Sequence, residues 1–271
     1  MNKQKLVKIL RISLVSGIPV AALLQELAFL LSYDVGANYF VANAPLFTVA
    51  NVFIAVLFAI AILCALIDEK KHSVASPFGK QIWVAIPAAI GFSIGGVFLA
   101  IDFFQNGSRL SLVAAVFLLL STVHVLLSET DRKNKFLGFF PPIACALLVC
   151  ILYFDTSLEM NAPLKVAVQC ALLPLMLYFT TELRYLLGRE LPRLYCALSL
   201  GSLAASALCI LTVPVASIMG RFENAYCLIA SLAVIGINAT VALRQWRYLQ
   251  TPEPIESPSH DENDTKETDA Q

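Results

Sequence analysis

The sequence predicts an all-α polytopic membrane bundle with eight transmembrane helices, and three observations carry that prediction. Hydrophobic residues make up 58% of the 271-residue chain and charged residues 14%, with a mean hydropathy of +0.76. A soluble domain of this length needs a more charged surface. Apolar stretches of about 18 to 25 residues, enough to cross a roughly 30 Å hydrocarbon core, recur along the chain. The connections between them sort the basic residues, so that sixteen of the nineteen Lys and Arg fall on one face.

The eight segments are 12–33, 46–67, 82–103, 110–127, 136–154, 166–187, 194–217 and 225–243. The first follows Lys3, Lys5, Lys8 and Arg11, and its full spanning length reads as a retained helix rather than a secretory signal. Alternating the connections places those residues with Lys70, Lys71, Lys80, Arg132, Lys133, Lys135, Arg184, Arg189, Arg193, Arg244, Arg247 and Lys266. Only Arg109, Lys165 and Arg221 lie opposite. The positive-inside rule then puts both termini in the cytoplasm, with four short outer hairpins, and the plasma membrane is the expected location.

Two domains are expected: a membrane domain over 1–250 and an acidic tail over 251–271. The tail holds seven acidic residues against one Lys, and Pro252, Pro254 and Pro258 interrupt it. Such a segment buries too little apolar surface to fold alone, so disorder is expected. Without it the body carries eighteen basic and twelve acidic residues. That excess suits anionic lipid headgroups on the cytoplasmic side and calls for no nucleic acid. The seven cysteines lie in or beside apolar segments with no CxxC pair, and read as packing residues rather than disulfides or metal ligands.

The first and third outer hairpins close with the same four residues, Asn43-Ala44-Pro45-Leu46 and Asn161-Ala162-Pro163-Leu164. Each opens an inward-running helix, where Asn caps free N–H groups and Pro fits the first turn. Two parallel four-helix repeats would place these segments equivalently. Similar bilayer demands on all helix starts would also produce the likeness.

Glu26, beside Gln25 in the outer half of the first helix, leads the ligand-binding candidates. A carboxylate inside an apolar segment must face the bundle interior, pair with a donor or become protonated. Asn51, Asp102 and Gln169 lie at comparable depth in helices two, three and six. Together the five outline an outward-opening polar cavity, or else separate helix-to-helix hydrogen bonds.

Gly91-Phe92-Ser93-Ile94-Gly95 matches G-x-S-x-G, but it lies inside a spanning segment rather than on a strand-to-helix turn. The glycines, spaced four apart, instead suit close helix packing, as do Ser199, Gly201, Ser202, Ala205 and Ser206. Kinks are expected at Pro19, Pro87, Pro174 and Pro214. Between helices six and seven, Glu182, Arg184, Arg189, Glu190 and Arg193 suggest a local ion-pair network or a docking site for a protein partner.

There is no HExxH, P-loop or dinucleotide fingerprint, so no catalytic residue, metal or cofactor is expected. The expected function is a small-molecule or ion permease, or a transport-associated component, and not an enzyme. The competing class is a noncatalytic membrane sensor or assembly factor that binds a cytoplasmic protein partner.

Overall fold

The computed structural model describes residues 3–37, 39–41, 44–67, 78–130, 132, 134–189 and 191–250. The acidic tail, Lys70, Lys71, Lys133, Glu190 and Asn43 lie outside those residues. The described chain contains the helices α1 (Lys3–Ser32), α2 (Pro45–Ile67), α3 (Ile86–Asn106), α4 (Arg109–Ser128) and α5 (Phe140–Phe154). They are followed by α6 (Pro163–Leu186), α7 (Pro192–Ser206), α8 (Thr212–Ile218) and α9 (Ala225–Gln250). Seven of the nine are long and apolar enough to cross a bilayer, the exceptions being α7 and α8. The chain is an all-α multi-pass membrane protein. Large apolar side chains such as Leu31, Phe104 and Ile218 remain exposed on the bundle exterior, where lipid rather than water suits them.

Short connections pair α1 with α2, α3 with α4, α5 with α6 and α6 with α7 as antiparallel neighbours. The end of the bundle at which α1 starts is called proximal here, and the opposite end distal. At the distal end Tyr33–Asp34 pairs antiparallel with Tyr39–Phe40. A run of rings from Phe29 through Tyr33 and Phe40 to Phe47, with centroids 4.6, 5.4 and 4.0 Å apart, fastens this hairpin to α1 and α2.

The helix interior is organised around α9, which packs against α3, α5, α6, α7 and α8. Small residues set its closest approach to α3. A Cβ on Gly236 would stand 2.3 Å from the carbonyl oxygen of Pro87 and 3.1 Å from the Cα of Gly91. A Cβ on Gly91 would meet the Cα of Ala233 at 3.2 Å. The Thr240 hydroxyl accepts the Ala88 N–H at 3.0 Å, satisfying a donor of the first turn of α3 that has no partner within its own helix. The glycine spacing in α3 therefore serves packing, and Ser93 shares a 3.2 Å hydrogen bond with Thr122 on α4.

The hairpin of α1 and α2 stands to one side and packs on α7, with α1 also reaching α8. The small strip of α7 is buried, and its hydroxyls donate within their own helix: Ser199 to Cys196 O, Ser202 to Ser199 O and Ser206 to Leu203 O. Helix pairing differs between the two halves of the chain, since α6 packs along α7 whereas α2 has α1 and α7 as its main neighbours. Pro163 occupies the first turn of α6 as expected, but the cap residue is Ala162 with no side-chain bond, so Asn161 does not cap.

The four prolines behave differently. Pro19 and Pro174 sit inside continuous helices. Pro87 falls in the first turn of α3, after a 3-10 turn over Ile82–Val84, where its missing N–H costs nothing. Only near Pro214 is the expected segment 194–217 divided. Residues 207–209 there bond three residues back, from Ala207 N to Ala204 O, Leu208 N to Ala205 O and Cys209 N to Ser206 O, before α8 resumes.

None of the seven cysteines forms a disulfide; Cys64, Cys145, Cys196, Cys209 and Cys227 are buried, while Cys150 and Cys170 are exposed on their helices.

Candidate functional site

Helix α1 presents Leu14, Ala21, Ala22, Gln25, Ala28 and Phe29 to the interior, the three-to-four spacing of one helix face. Glu26 lies on the edge of that face and is 8% exposed; Gln25 is 2% exposed. Neither carboxylate oxygen of Glu26 has a hydrogen-bond partner, and the Gln25 side-chain oxygen has none either. A buried carboxylate with no donor is costly in its charged form, so the site calls for a proton or a cation.

What lies opposite follows from register. Arg11 Nη2 donates to Cys196 Sγ at 3.2 Å, an offset of 185 residues between α1 and α7. Ala21 and Ala22 share a cluster with Ala204 and Ala207, and Ile210 and Leu211 pack against it. The two elements therefore run parallel at nearly constant offset. One turn further out, Gln25 and Glu26 come level with the end of the helix break and with Thr212. The Thr212 hydroxyl is fully buried and also lacks a partner. Pro214 has no N–H to offer the carbonyl of Ile210 four residues earlier.

The other candidates are distributed around the bundle. Asn51, half-buried on α2, lies six residues inside its helix, the same depth of about 9 Å as Glu26 in the adjoining α1. Gln169 is also half-buried, but α6 packs on α5, α7 and α9 rather than α1. Asp102 belongs to a separate distal network. Its carboxylate accepts from Asn106 Nδ2 at 2.8 Å, Ser111 Oγ at 2.5 Å and Tyr226 Oη at 3.0 Å. Glu26 and Gln25 thus lie on α1 and Asn51 on the adjoining α2, Gln169 lies on α6, which packs along α7, and Asp102 is engaged in its own hydrogen-bonded network.

The distal network continues through Asp155, just past α5. Asn224 Nδ2 donates to its Oδ2 at 2.6 Å, and Ser157 contributes its N–H and hydroxyl at 2.9 and 3.0 Å. Burial pushes the Asp155 carboxyl up, but the Ser157 and Asn224 donors and the charge of Lys165 outweigh it and hold it below the usual range. Lys165 itself is 1% exposed, with Nζ donating to the Asp155 and Leu158 carbonyls at 2.7 and 3.4 Å. It fastens the α5–α6 turn rather than facing solvent.

A second polar centre closes the proximal end. Arg244 on α9 donates from Nε to Glu129 Oε1 at 2.9 Å, from Nη1 to Tyr178 Oη at 3.0 Å and from Nη2 to Ser128 Oγ at 2.9 Å. Its Nη1 also pairs with Glu182. Tyr178 Oη donates to Glu182 at 2.5 Å and shares a 3.2 Å hydrogen bond with Tyr195 Oη. Arg247 Nη1 and the Gly79 N–H both reach Glu129 Oε2 at 2.9 Å. Two carboxylates thus face two guanidiniums. Burial alone would raise the Glu129 carboxyl, but Arg244 and Arg247 outweigh it and hold it below the usual range.

Sequence reasoning placed Glu182 in a local network with its loop neighbours. In the structure it is 1% exposed and turned inward to Arg244, while Arg184, Arg189 and Arg193 are exposed. Nothing in the sequence pattern alone marks Glu129 or Tyr195 as members of this centre. The available signal was the Tyr178–Glu182 pair at i, i+4, which puts both polar tips on one face of α6.

Among the described residues, no group of three or more His, Cys, Asp or Glu side chains converges as a metal cage. Two shallow depressions of about 330 Å³ each lie on the surface: one beside Tyr39, Phe47 and Pro163, the other an apolar groove beside Ile143, Cys150 and Met176. Neither reaches Glu26. Compared with known proteins, the chain matches no family model, no curated protein and no solved structure.

Proposed function

We propose that this chain is a secondary permease for a small solute or ion, in a closed conformation, with Glu26 as the group that takes up and releases a proton or cation. The observation that carries the reading is the buried carboxylate of Glu26, without a hydrogen-bond partner on either oxygen, beside a divided helix. A static contact in a membrane bundle gains from pairing every buried polar atom, whereas a coupling site must keep acceptors free for a transient occupant. Broken helices are suited to this use because their backbone groups become available at membrane depth.

On this reading α7 and α8 together make one divided crossing, so that the chain crosses eight times. The proximal end, which carries most of the basic residues, is cytoplasmic, and anionic headgroups lie against it. Transport requires the Arg244 centre and the Asp102–Asp155 network to close their ends in alternation.

The test is reconstitution of the purified full chain in liposomes with a screen of ion and metabolite fluxes. Wild type is expected to carry at least one flux, and Glu26→Gln to reduce it about tenfold or more. Flux unaffected by the substitution would remove Glu26 from the mechanism. A second reading, a membrane sensor or assembly factor, is favoured by the hydrogen-bonded networks that close both ends. It predicts no flux across the screen and a cytoplasmic protein partner that copurifies with the chain.

A further inference from the structure

We propose that Gln25 and Glu26 of α1, Thr212 of α8 and the backbone carbonyl of Ile210 form a binding site for a monovalent cation of about sodium's size. The inference rests on the reading of Glu26 as the coupling group and names its occupant. Three observations converge on it.

The unpartnered buried atoms here are all oxygens: Gln25 Oε1, both carboxylate oxygens of Glu26 and Thr212 Oγ1. They belong to side chains that are 2%, 8% and 0% exposed. Oxygen-only donors select hard cations over the softer transition metals, which favour imidazole and thiolate. Second, one carboxylate among neutral oxygens balances a single positive charge. A divalent ion would leave a net charge in a low-dielectric setting, and no second carboxylate is level with Glu26 on α1 or α8.

Third, the chain geometry supplies a further donor at the right height. The parallel register of α1 with α7 and α8, anchored by Arg11 to Cys196 and by the Ala21, Ala22, Ala204 and Ala207 cluster, brings the helix break beside Gln25 and Glu26. Pro214 deprives the Ile210 carbonyl of its helical donor at that break. Glu26 lies six residues short of the distal end of α1, and Thr212 lies six short of the distal end of α8. Ser217, though its hydroxyl is also unpartnered, is more than a turn further out and does not belong to the set.

The test measures binding, independently of flux. Full-length protein in detergent is assayed for saturable ²²Na⁺ binding and for melting temperature in NaCl, KCl and choline chloride at equal ionic strength. Wild type is expected to bind Na⁺ saturably and to melt higher in NaCl than in choline chloride, because a ligand of the folded state stabilises it. Glu26→Gln is expected to weaken Na⁺ binding by about tenfold or more and to abolish the NaCl shift. Thr212→Val, which removes only a ligand oxygen, is expected to weaken binding while retaining the choline chloride melting temperature. That variant decides the matter if Glu26→Gln fails to fold.

No saturable Na⁺ binding by wild type, or binding undiminished in both variants, overturns the site. A response to pH without a response to Na⁺ assigns a proton instead and also overturns it. Glu26-dependent flux without Na⁺ binding leaves the permease reading standing and removes the sodium site. Sodium binding without flux has the opposite consequence.

Discussion

At Arg244 a guanidinium is 4% exposed, and what makes it tolerable is the number of acceptors around it rather than any one ion pair. Glu129, Glu182, Tyr178 and Ser128 arrive from two other helices, and the Phe78 ring lies 5.7 Å from the guanidinium carbon. Removing the cation leaves the buried Glu182 without a counter-charge and Glu129 with Arg247 alone, so Arg244→Ala is expected to destabilise the protein by about 3–5 kcal/mol. Arg244→Lys is expected to recover only part of that, since an ammonium cannot reproduce the planar fork. Chemical denaturation in detergent measures both. The depressed Glu129 carboxyl adds a pH dependence whose sign is fixed. Its contribution is present in full above the ordinary carboxyl value of 4.5 and is lost as pH falls through the lower folded value. Melting temperature is therefore expected to decline below about pH 4.5, and Glu129→Gln to flatten that decline. The sequence exposes Glu26 as an anomaly because an acid stands out in an apolar run. Arg244 and Lys165 look instead like ordinary members of the basic and outer faces, since burial depends on which way a helix is rotated, and one sequence does not encode that visibly.

Helices one to six are legible because length and hydropathy set them, and the expected segments match α1 to α6 to within a few residues at most ends. At the start of α1 the difference is larger: basic residues before the apolar run extend the helix back to Lys3. Helix seven is where the reading is least complete. Residues 194–217 are hydrophobic enough to read as one span, and Pro214 marks a kink in it, but the hydropathy pattern does not mark the division at 207–211, which lies in three-residue bonding before the proline. The glycine spacing in α3 is legible as packing, but its partner is not: only the structure pairs Gly91 with Ala233 and Gly236. At this scale Gly236→Ala is expected to push α3 and α9 apart, because the new methyl would collide with the Pro87 carbonyl. The expected cost is about 1–3 kcal/mol, read by denaturation in detergent. Gly95→Ala, whose Cβ would meet the flexible Leu118 side chain at 3.4 Å, is expected to cost less.

Over the whole molecule, α9 is the axis on which α3, α5, α6 and the α7–α8 pair converge, with the α1–α2 hairpin docked on the α7–α8 side. The polar chemistry sorts with that arrangement. Satisfied networks tie α4, α6, α7 and α9 at one end and α3, α4, α5 and α9 at the other. The unsatisfied oxygens of Glu26, Gln25 and Thr212 belong to the docked hairpin and to α8, outside both networks. Motion of the hairpin against α8 would expose the carboxylate, which makes Glu26 the decisive position for the account. The most direct measurement is flux through proteoliposomes containing wild type or Glu26→Gln, with both proteins shown to be folded and inserted. The account predicts a flux in wild type that falls about tenfold or more in the variant. Equal flux in the two, or none in wild type across the ion and metabolite screen, would contradict it.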